Sequence, residues 1–195
     1  MKPACFLDRD GVIVEDVGYL SDPDDLQLIN GAANAIRRLN KAGVPVVVVT
    51  NQAGVARGLF VESRIAVVHE RLEQMLSGFD ARIDAIYYCP HHPTAGQGEY
   101  GIECECRKPN PGMLQRAAAD HGLDLPRSFL VGDKVSDLGA GQNAGCETIL
   151  VRTGYGSEVD DAALAKDGYR PSFMARDISE AVDFCLPALT RPGTL

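Results

Sequence analysis

The segment from Val44 to Thr50 contains five valines and ends in threonine, so both faces of any strand that it forms are apolar. A strand that is apolar on both faces is typical of the interior of a parallel sheet, where helices cover the two sides. Further short apolar runs recur along the chain at 4–7, 83–88, 129–131 and 148–151. They alternate with helical patterns, which predicts an α/β fold: a parallel sheet with right-handed crossovers, helices on both faces and no large cap domain.

The helical patterns and the intervening loops complete this prediction. Apolar residues recur at helical spacing over 32–42 and 63–76, and helices are also expected over 111–121, after Gly132 and over 178–186. A sixth short strand is expected near 172–174. Three long loops remain, at 12–30, 89–106 and 152–170, and long loops in compact domains are often functional.

Composition limits the class of protein. A chain of 195 residues with 45% apolar and 24% charged residues predicts one globular domain over 1–195. A formal net charge of −8 gives no general attraction for nucleic acid or an anionic membrane. No apolar run approaches the roughly 18 residues of a membrane span, and the first run stops at Asp8, too early for a signal peptide. We therefore expect a cytoplasmic monomer that acts on a small molecule.

Two carboxylates follow the first apolar run directly, because Asp8 and Asp10 flank Arg9 and precede Gly11. Residues at i and i+2 share one side of a strand, and a turn at glycine lets both reach one ligand. Two carboxylates this close repel each other unless a cation or a shared proton compensates. The pair therefore predicts a ligand site at the end of the first strand.

Other segments supply groups that complement this pair. Thr50 ends the valine-rich strand, Lys108 ends the long loop and Asp133 follows the fourth strand. A carboxylate nucleophile, a hydroxyl, a fixed cation and a second carboxylate are the groups that phosphoryl transfer needs. Asp8 is the predicted nucleophile, and Asp10 the acid that protonates the leaving group and then activates water. Mg²⁺ is expected on Asp8 and Asp133, with the backbone carbonyl of Asp10 as a third ligand.

A second metal site is predicted in the long loop that begins at Cys89. Cys89 and His91 are followed, after twelve residues, by Cys104 and Cys106. Three thiolates and an imidazole suit a closed tetrahedral Zn²⁺ site. The alternative is a pair of buried thiols with a surface histidine. We also expect His69 and His121 to be surface or hydrogen-bonded histidines.

Four segments, in this order, resemble the motifs of the haloacid dehalogenase superfamily: residues 8–12, Thr50-Asn51, Lys108 within 107–112, and residues 132–137. The resemblance implies the doubly wound fold, dependence on Mg²⁺ and an aspartyl-phosphate intermediate. It also implies that Thr50 and Lys108 stabilise the transferring phosphoryl group.

The segments 16–19, 50–58 and 89–109 resemble more narrowly the heptose bisphosphate phosphatases within this superfamily. That resemblance implies hydrolysis of the 7-phosphate of a heptose 1,7-bisphosphate during heptose-nucleotide biosynthesis for lipopolysaccharide or other surface glycans, and it favours Zn²⁺ in the long loop. Ala53 stands where other members carry serine, although a backbone amide there can still bind phosphate. The implied substrate contacts are Asp16, Val17, Gly18, Tyr19, Asn51, Gln52, Ala53, Arg107 and Lys134.

Three alternatives remain open at this point. Histidinol-phosphate phosphatases share the Asp-Arg-Asp-Gly start and a similar zinc loop. A phosphoacceptor signalling domain also places an aspartate, a threonine and a lysine on a parallel sheet, but it has no use for the second carboxylate. A zinc-containing binding module without catalysis is disfavoured because no catalytic position is missing.

Overall fold

The computed structural model describes residues 1–191, so residues 192–195 of the predicted domain lie outside the described part. Among these described residues, six strands form one sheet: β1 (Cys5–Leu7), β2 (Val46–Asn51), β3 (Ala85–Cys89), β4 (Phe129–Gly132), β5 (Glu147–Val151) and β6 (Phe173–Ala175). All neighbouring strands are parallel, in the order β3-β2-β1-β4-β5-β6. The predicted doubly wound parallel sheet is confirmed.

In the described part of the chain, seven α-helices connect and follow these strands: α1 (Ala32–Lys41), α2 (Ala53–Ala56), α3 (Ser63–Ser77), α4 (Gly112–His121), α5 (Val135–Ala144), α6 (Asp161–Lys166) and α7 (Ile178–Leu189). Apolar residues of α1, α3 and α7 pack on one face of the sheet. Residues of α4 and α5 pack on the other face. Within residues 1–191, no insertion forms a separate cap domain over the strand ends.

The valine-rich strand behaves as its composition predicts. Val46 and Val48 belong to the apolar cluster on one face of the sheet, and Val47 and Val49 belong to the cluster on the other. The neighbouring strand β1 alternates in the same way, with Leu7 on the first face and Phe6 on the second. Because both faces of these strands are buried, the ends of the strands are where polar side chains reach solvent.

The strand order places a switch point at the centre of the sheet. β1 pairs with β2 on one side and with β4 on the other, so the connections from β1 and β4 leave in opposite directions. In such sheets a crevice opens beyond the carboxyl ends of the strands at this point. Asp8 follows β1, Thr50 lies near the end of β2 and Asp133 follows β4.

The structure differs from the sequence-based prediction in several local features. The valine-rich strand begins at Val46 and not at Val44, and α7 extends to Leu189 instead of ending at 186. The region 152–170 contains a helix, α6, and a 3-10 turn, whereas a loop was predicted. The short helix α2 was not predicted. Pro111 is the N-cap of α4 and not a residue of its first turn.

No helix in residues 1–191 is both long and apolar enough to cross a membrane.

Candidate active site

A cleft lies beyond the carboxyl ends of β1, β2 and β4, with a volume of about 250 Å³. It brings together residues that are far apart in the sequence, including most of the predicted site. Its lining consists of Asp8, Asp10, Asp16, Gly18, Tyr19, Thr50, Asn51, Gln52, Ala53, Gly54, Arg107, Lys108, Lys134, Ser136 and Tyr155. The set is polar and carries both signs of charge, as a site for a phosphorylated ligand needs.

At the base of the cleft Lys108 joins two buried carboxylates. Its ammonium lies 3.0 Å from Asp8 Oδ1 and 2.5 Å from Asp137 Oδ1, and it donates to Val49 O at 2.9 Å. Burial by itself lowers the pKa of Lys108, but the charges of Asp137 and Asp8 outweigh this effect and raise the pKa above its ordinary value. Lys108 is therefore a fixed cation beside Asp8.

Asp8, Asp133 and Asp137 form a compact acidic cluster, with one carboxylate oxygen from each within 4.8 Å of the others. Burial, followed by the charge of Asp8, raises the pKa of Asp133 to about 7. Its Oδ1 is buried without a hydrogen-bond partner in the described structure. A buried and unpartnered carboxylate oxygen beside a second carboxylate fits a small divalent cation.

Lys134 connects this cluster to the loop that contains residues 16–19. Its ammonium lies 3.0 Å from Asp16 Oδ2 and 3.6 Å from Asp133 Oδ1. The Tyr155 ring lies below the same ammonium, 4.5 Å from centroid to Nζ, and Tyr155 N donates to Asp133 Oδ2 at 2.9 Å. Within the loop, Gly18 N donates to Asp16 Oδ1 at 2.8 Å. These contacts hold the loop against one wall of the cleft.

The segment that contains Arg107 and Lys108 is fixed at the end of β2 by a reciprocal pair of hydrogen bonds. Asn51 Nδ2 donates to Lys108 O, and Lys108 N donates to Asn51 Oδ1, both at 3.1 Å. The Arg107 guanidinium donates through Nη1 to His91 O at 3.0 Å. Arg107 thus lines the cleft while its side chain is tied to the long loop.

Cys89, His91, Cys104 and Cys106 meet at the ends of this loop, where Cys89 is buried and the other three are half-buried. The Sγ atoms of Cys89 and Cys104 are 3.5 Å apart, and those of Cys104 and Cys106 are 3.2 Å apart. His91 Nδ1 lies 3.7 Å from Cys89 Sγ and 3.5 Å from Cys106 Sγ. In a tetrahedral site with zinc–sulfur bonds of about 2.3 Å, neighbouring sulfurs are about 3.8 Å apart. The observed sulfurs are a few tenths of an ångström closer than this, and all four ligand atoms lie within 4.8 Å of one another, so the set can hold Zn²⁺.

The thiols of this cluster are not joined in disulfides. Hydrogen bonding from the Cys89 thiol, and then from Cys104 and His91, lowers the pKa of Cys106 to about 5. A thiolate at Cys106 is the ionised form that zinc requires. Glu62 ties the cluster to the body of the protein, because it accepts from Tyr88 OH at 3.0 Å and from Tyr100 OH at 2.8 Å.

The structure places the predicted residues as follows. Of the predicted catalytic and substrate-binding residues, all except Val17 line the cleft; Val17 is 54% exposed. Asp133 lies beneath the cleft and is fully buried. Tyr155, Ser136 and Gly54 also line the cleft but were not predicted. For Tyr155 the only sequence signal is its position in one of the three long loops.

Comparison with known proteins agrees with this architecture. The model of the haloacid dehalogenase-like hydrolases matches residues 5–95, and a second model, of HAD-hydrolase-like proteins, matches residues 105–181. D-glycero-D-manno-heptose-1,7-bisphosphate 7-phosphatase from Thermosynechococcus vestitus is 43% identical over 187 residues, which is 94% of this chain and 95% of the relative. This chain belongs to the heptose bisphosphate phosphatase family of haloacid dehalogenase-like hydrolases.

Two further members of the heptose bisphosphate phosphatase family are similar to this chain, one in sequence and one in sequence and structure. D-glycero-beta-D-manno-heptose-1,7-bisphosphate 7-phosphatase from Escherichia coli K12 is 46% identical over 153 residues, covering 78% of this chain and 80% of that one. The crystal structure of D,D-heptose 1,7-bisphosphate phosphatase from B. bronchiseptica, complexed with magnesium and phosphate, superposes with a TM-score of 0.82. It is 36% identical, over 96% of this chain and 99% of that chain.

Proposed function

We propose that this protein hydrolyses the 7-phosphate of D-glycero-D-manno-heptose 1,7-bisphosphate, in heptose-nucleotide biosynthesis in the cytoplasm. The observation that carries the proposal is the cleft in which Asp8, Asp10, Thr50 and Lys108 meet at the switch point of the sheet. Relatives that share 43–46% of their residues with this chain bear the name of that phosphatase. An acidic protein of net charge −8 that binds a bisphosphate needs local cations, and Arg107, Lys108 and Lys134 supply them.

Asp8 is the proposed nucleophile. Its Oδ1 accepts from Arg9 N at 2.8 Å and lies 3.0 Å from Lys108 Nζ, so we expect Oδ2 to attack. Attack forms a bond from Asp8 to phosphorus, and the bond between phosphorus and the oxygen on carbon 7 breaks. The Lys108 ammonium, the Thr50 hydroxyl and backbone amides near Ala53 stabilise the charge on the phosphoryl oxygens.

Asp10 is the proposed acid and base. In the first step it donates a proton to the departing sugar alkoxide, and in the second it removes a proton from the attacking water. The second step breaks the bond from Asp8 to phosphorus and releases inorganic phosphate. Asp10 is 15% exposed toward solvent and lies beside Thr50 and Gln52 in the cleft lining, where a leaving group can reach it.

Asp8 and Asp133 are the side chains that would hold Mg²⁺, with the Asp10 carbonyl as a further oxygen ligand. When bound, the ion neutralises charge on the phosphoryl oxygens and on the two carboxylates. Cys89, His91, Cys104 and Cys106 would hold Zn²⁺ in a structural role. The segment of Arg107 and Lys108 follows Cys106 directly, so a closed zinc site would fix the loop that positions both cations.

The substrate assignment is tested by comparing kcat/KM for heptose 1,7-bisphosphate with that for histidinol phosphate, using purified protein with Mg²⁺. We expect the heptose bisphosphate to be preferred by at least about 100-fold, since histidinol phosphate lacks the second phosphate. Phosphorus NMR of the product identifies which phosphate ester is hydrolysed, and the sugar product should retain only its 1-phosphate. Preference for histidinol phosphate, or loss of the 1-phosphate, would contradict the proposal.

A further inference from the structure

Asp10 does not stand alone in the cleft wall, because Arg9 binds both of its carboxylate oxygens. Arg9 Nε donates to Asp10 Oδ1 at 3.0 Å, and Nη2 donates to Oδ2 at 2.9 Å. The Arg9 side chain is only 1% exposed, although adjacent residues line an open cleft. A bidentate ion pair of this kind fixes the orientation of a carboxylate as well as its position.

The third nitrogen of the guanidinium, Nη1, contacts His69, which lies on α3. Arg9 Nη1 and His69 Nε2 are 3.2 Å apart. Arginine has donors only, so Nε2 must be the acceptor and the imidazole proton must lie on Nδ1. Burial, and then the charge of Arg9, lowers the pKa of His69 to about 3, so the imidazole stays neutral and able to accept.

Gln52, which directly follows β2, completes the network. Its Oε1 accepts from Arg9 Nη2 at 3.0 Å, and its Nε2 lies 2.9 Å from both Asp10 Oδ2 and Thr50 Oγ1. The Gln52 side chain is thus occupied by protein groups, and it joins the acid residue Asp10 to Thr50. Three segments of the chain meet here: the turn after β1, the carboxyl end of β2 with the residue that follows it, and α3.

This arrangement is unfavourable if its only purpose is to stabilise the fold. Burying a guanidinium is costly, and apolar residues of similar volume often replace a buried ion pair at no loss of stability. A buried histidine that serves only to accept from a buried arginine adds a further polar group to the interior. What the network does achieve is to hold one carboxylate oriented at the edge of the cleft.

We propose that His69 and Arg9 are positioning residues for the acid and base chemistry of Asp10. His69 fixes the guanidinium of Arg9, and Arg9, together with Gln52, fixes the carboxylate of Asp10. Neither His69 nor Arg9 is among the residues that line the cleft, so they act through Asp10 and not on the substrate. The inference rests on the proposed aspartyl-phosphate mechanism, but not on the identity of the sugar.

The chemistry of the leaving group distinguishes this role from a structural one. A sugar alkoxide needs a proton as it departs, so kcat/KM for a sugar phosphate depends on Asp10. A 2,4-dinitrophenolate departs without a proton, so kcat/KM for dinitrophenyl phosphate depends only on the nucleophile and the phosphoryl site. In the second step, both substrates still need Asp10 to remove a proton from the attacking water. If Asp10 cannot act as the base, the aspartyl phosphate accumulates.

The test compares His69→Leu with His69→Gln, whose side-chain oxygen can replace Nε2 as the acceptor. For His69→Leu we expect kcat/KM on the heptose bisphosphate to fall by about 10- to 100-fold, while kcat/KM on dinitrophenyl phosphate stays within about twofold of wild type. Stopped-flow measurement should show a burst of dinitrophenolate near one per active site, followed by slow turnover. His69→Gln should restore most of the activity on the sugar substrate.

An equal loss of kcat/KM on both substrates by a folded His69→Leu protein would overturn the proposal, because a structural defect does not depend on the leaving group. So would full activity of His69→Leu on both. If His69→Leu does not fold, Arg9→Lys gives the same comparison, since one ammonium cannot bind both oxygens of Asp10.

Asp10→Asn separates failure of this inference from failure of the proposed mechanism. If Asp10 is the acid, Asp10→Asn should lower kcat/KM for the sugar phosphate much more than kcat/KM for dinitrophenyl phosphate. The difference between the two substrates in His69→Leu is then compared with the difference in Asp10→Asn. If Asp10→Asn lowers kcat/KM equally for both substrates, the assignment of Asp10 as the acid is wrong. Any alkyl phosphate that the protein hydrolyses can replace the heptose bisphosphate in this comparison, so the result does not depend on which sugar is the substrate.

Discussion

The Lys108 ammonium lies 3.0 Å from Asp8 Oδ1, and both side chains are buried at the base of the cleft. The same ammonium forms an ion pair with Asp137 and donates a hydrogen bond to the carbonyl of Val49. One fixed cation therefore serves two buried carboxylates, while Asp133 adds a third carboxylate nearby. The cluster keeps an excess of negative charge that suits a divalent cation.

Replacement of Lys108 tests the energetic side of this relationship. Lys108→Met leaves Asp8 and Asp137 buried without their cation, and removal of one partner from a buried ion pair typically costs about 3–5 kcal/mol. We expect urea denaturation to show a loss of stability in this range, together with loss of turnover. Lys41→Met, at the exposed end of α1, is the matched control and should change stability by less than about 0.5 kcal/mol. An unchanged urea midpoint for Lys108→Met would contradict the ion-pair argument.

Asp8→Asn tests covalent catalysis. The amide is nearly the same size as the carboxylate but is a poor nucleophile, so we expect turnover below about one hundredth of wild type with the fold intact. Circular dichroism provides the folding control. Mixing with substrate should give no acid-stable protein-bound phosphate in the variant. Turnover above that level would show that Asp8 is not the nucleophile.

Much of the site could be predicted because strand ends in a parallel sheet converge. Asp8, Thr50 and Asp133 each stand at or near the end of an apolar run, and the sheet places those ends at one edge. The motif order then gave the expected phosphatase family. The prediction therefore succeeded where a local pattern and a topological rule were sufficient.

The sequence carried no signal for contacts made by side chains across the fold. Arg9 and His69 are 60 positions apart, and nothing in either local pattern predicts that α3 brings an imidazole to Arg9. The expectation that His69 is a surface or hydrogen-bonded histidine is consistent with its contact, but did not identify the partner. Tyr155 likewise reaches Lys134 and Asp133 through the fold of residues 152–158, which had been predicted as loop.

The Cys89, His91, Cys104 and Cys106 cluster leads to a prediction about metal content. Purified protein should contain about one equivalent of Zn²⁺ by elemental analysis, and Cys104→Ser should lose most of it. Because the loop positions Arg107 and Lys108, we expect Cys104→Ser to raise KM. Cys146→Ala, a cysteine outside the cluster, should keep its zinc. Zinc-free protein with full activity would contradict the structural role.

Arg107 is expected to select a bisphosphate. One phosphate must lie at Asp8, where Lys108 and Thr50 offset its charge, and the second needs another cation at the cleft wall. A guanidinium binds phosphate through two parallel hydrogen bonds. Arg107→Ala should therefore lower kcat/KM for the heptose bisphosphate by a factor that corresponds to about 2–3 kcal/mol of lost transition-state stabilisation. Hydrolysis of a simple aryl phosphate should change far less. Equal losses for both substrates would instead place Arg107 at the reacting phosphate.

The buried imidazole of His69 should make the protein less stable in mild acid. Burial and the Arg9 charge lower the pKa of His69 from 6.5 to about 3, so between these values the unfolded chain binds a proton that the folded protein does not. The contribution of His69 to the free energy of unfolding therefore falls as the pH decreases from 7 toward 3. At pH 5 the His69 contribution to this loss is about 2 kcal/mol, since each pKa unit corresponds to about 1.4 kcal/mol.

Urea denaturation of wild type and His69→Gln at pH 7 and pH 5 isolates this contribution, because glutamine does not titrate and the other ionisable groups are common to both. The wild type should lose about 2 kcal/mol more than the variant between the two pH values. The two proteins would lose the same amount if the imidazole became protonated within the fold, and in that case Arg9 would have to move away from Nε2. Equal losses would therefore show that the neutral His69 does not hold the guanidinium in place.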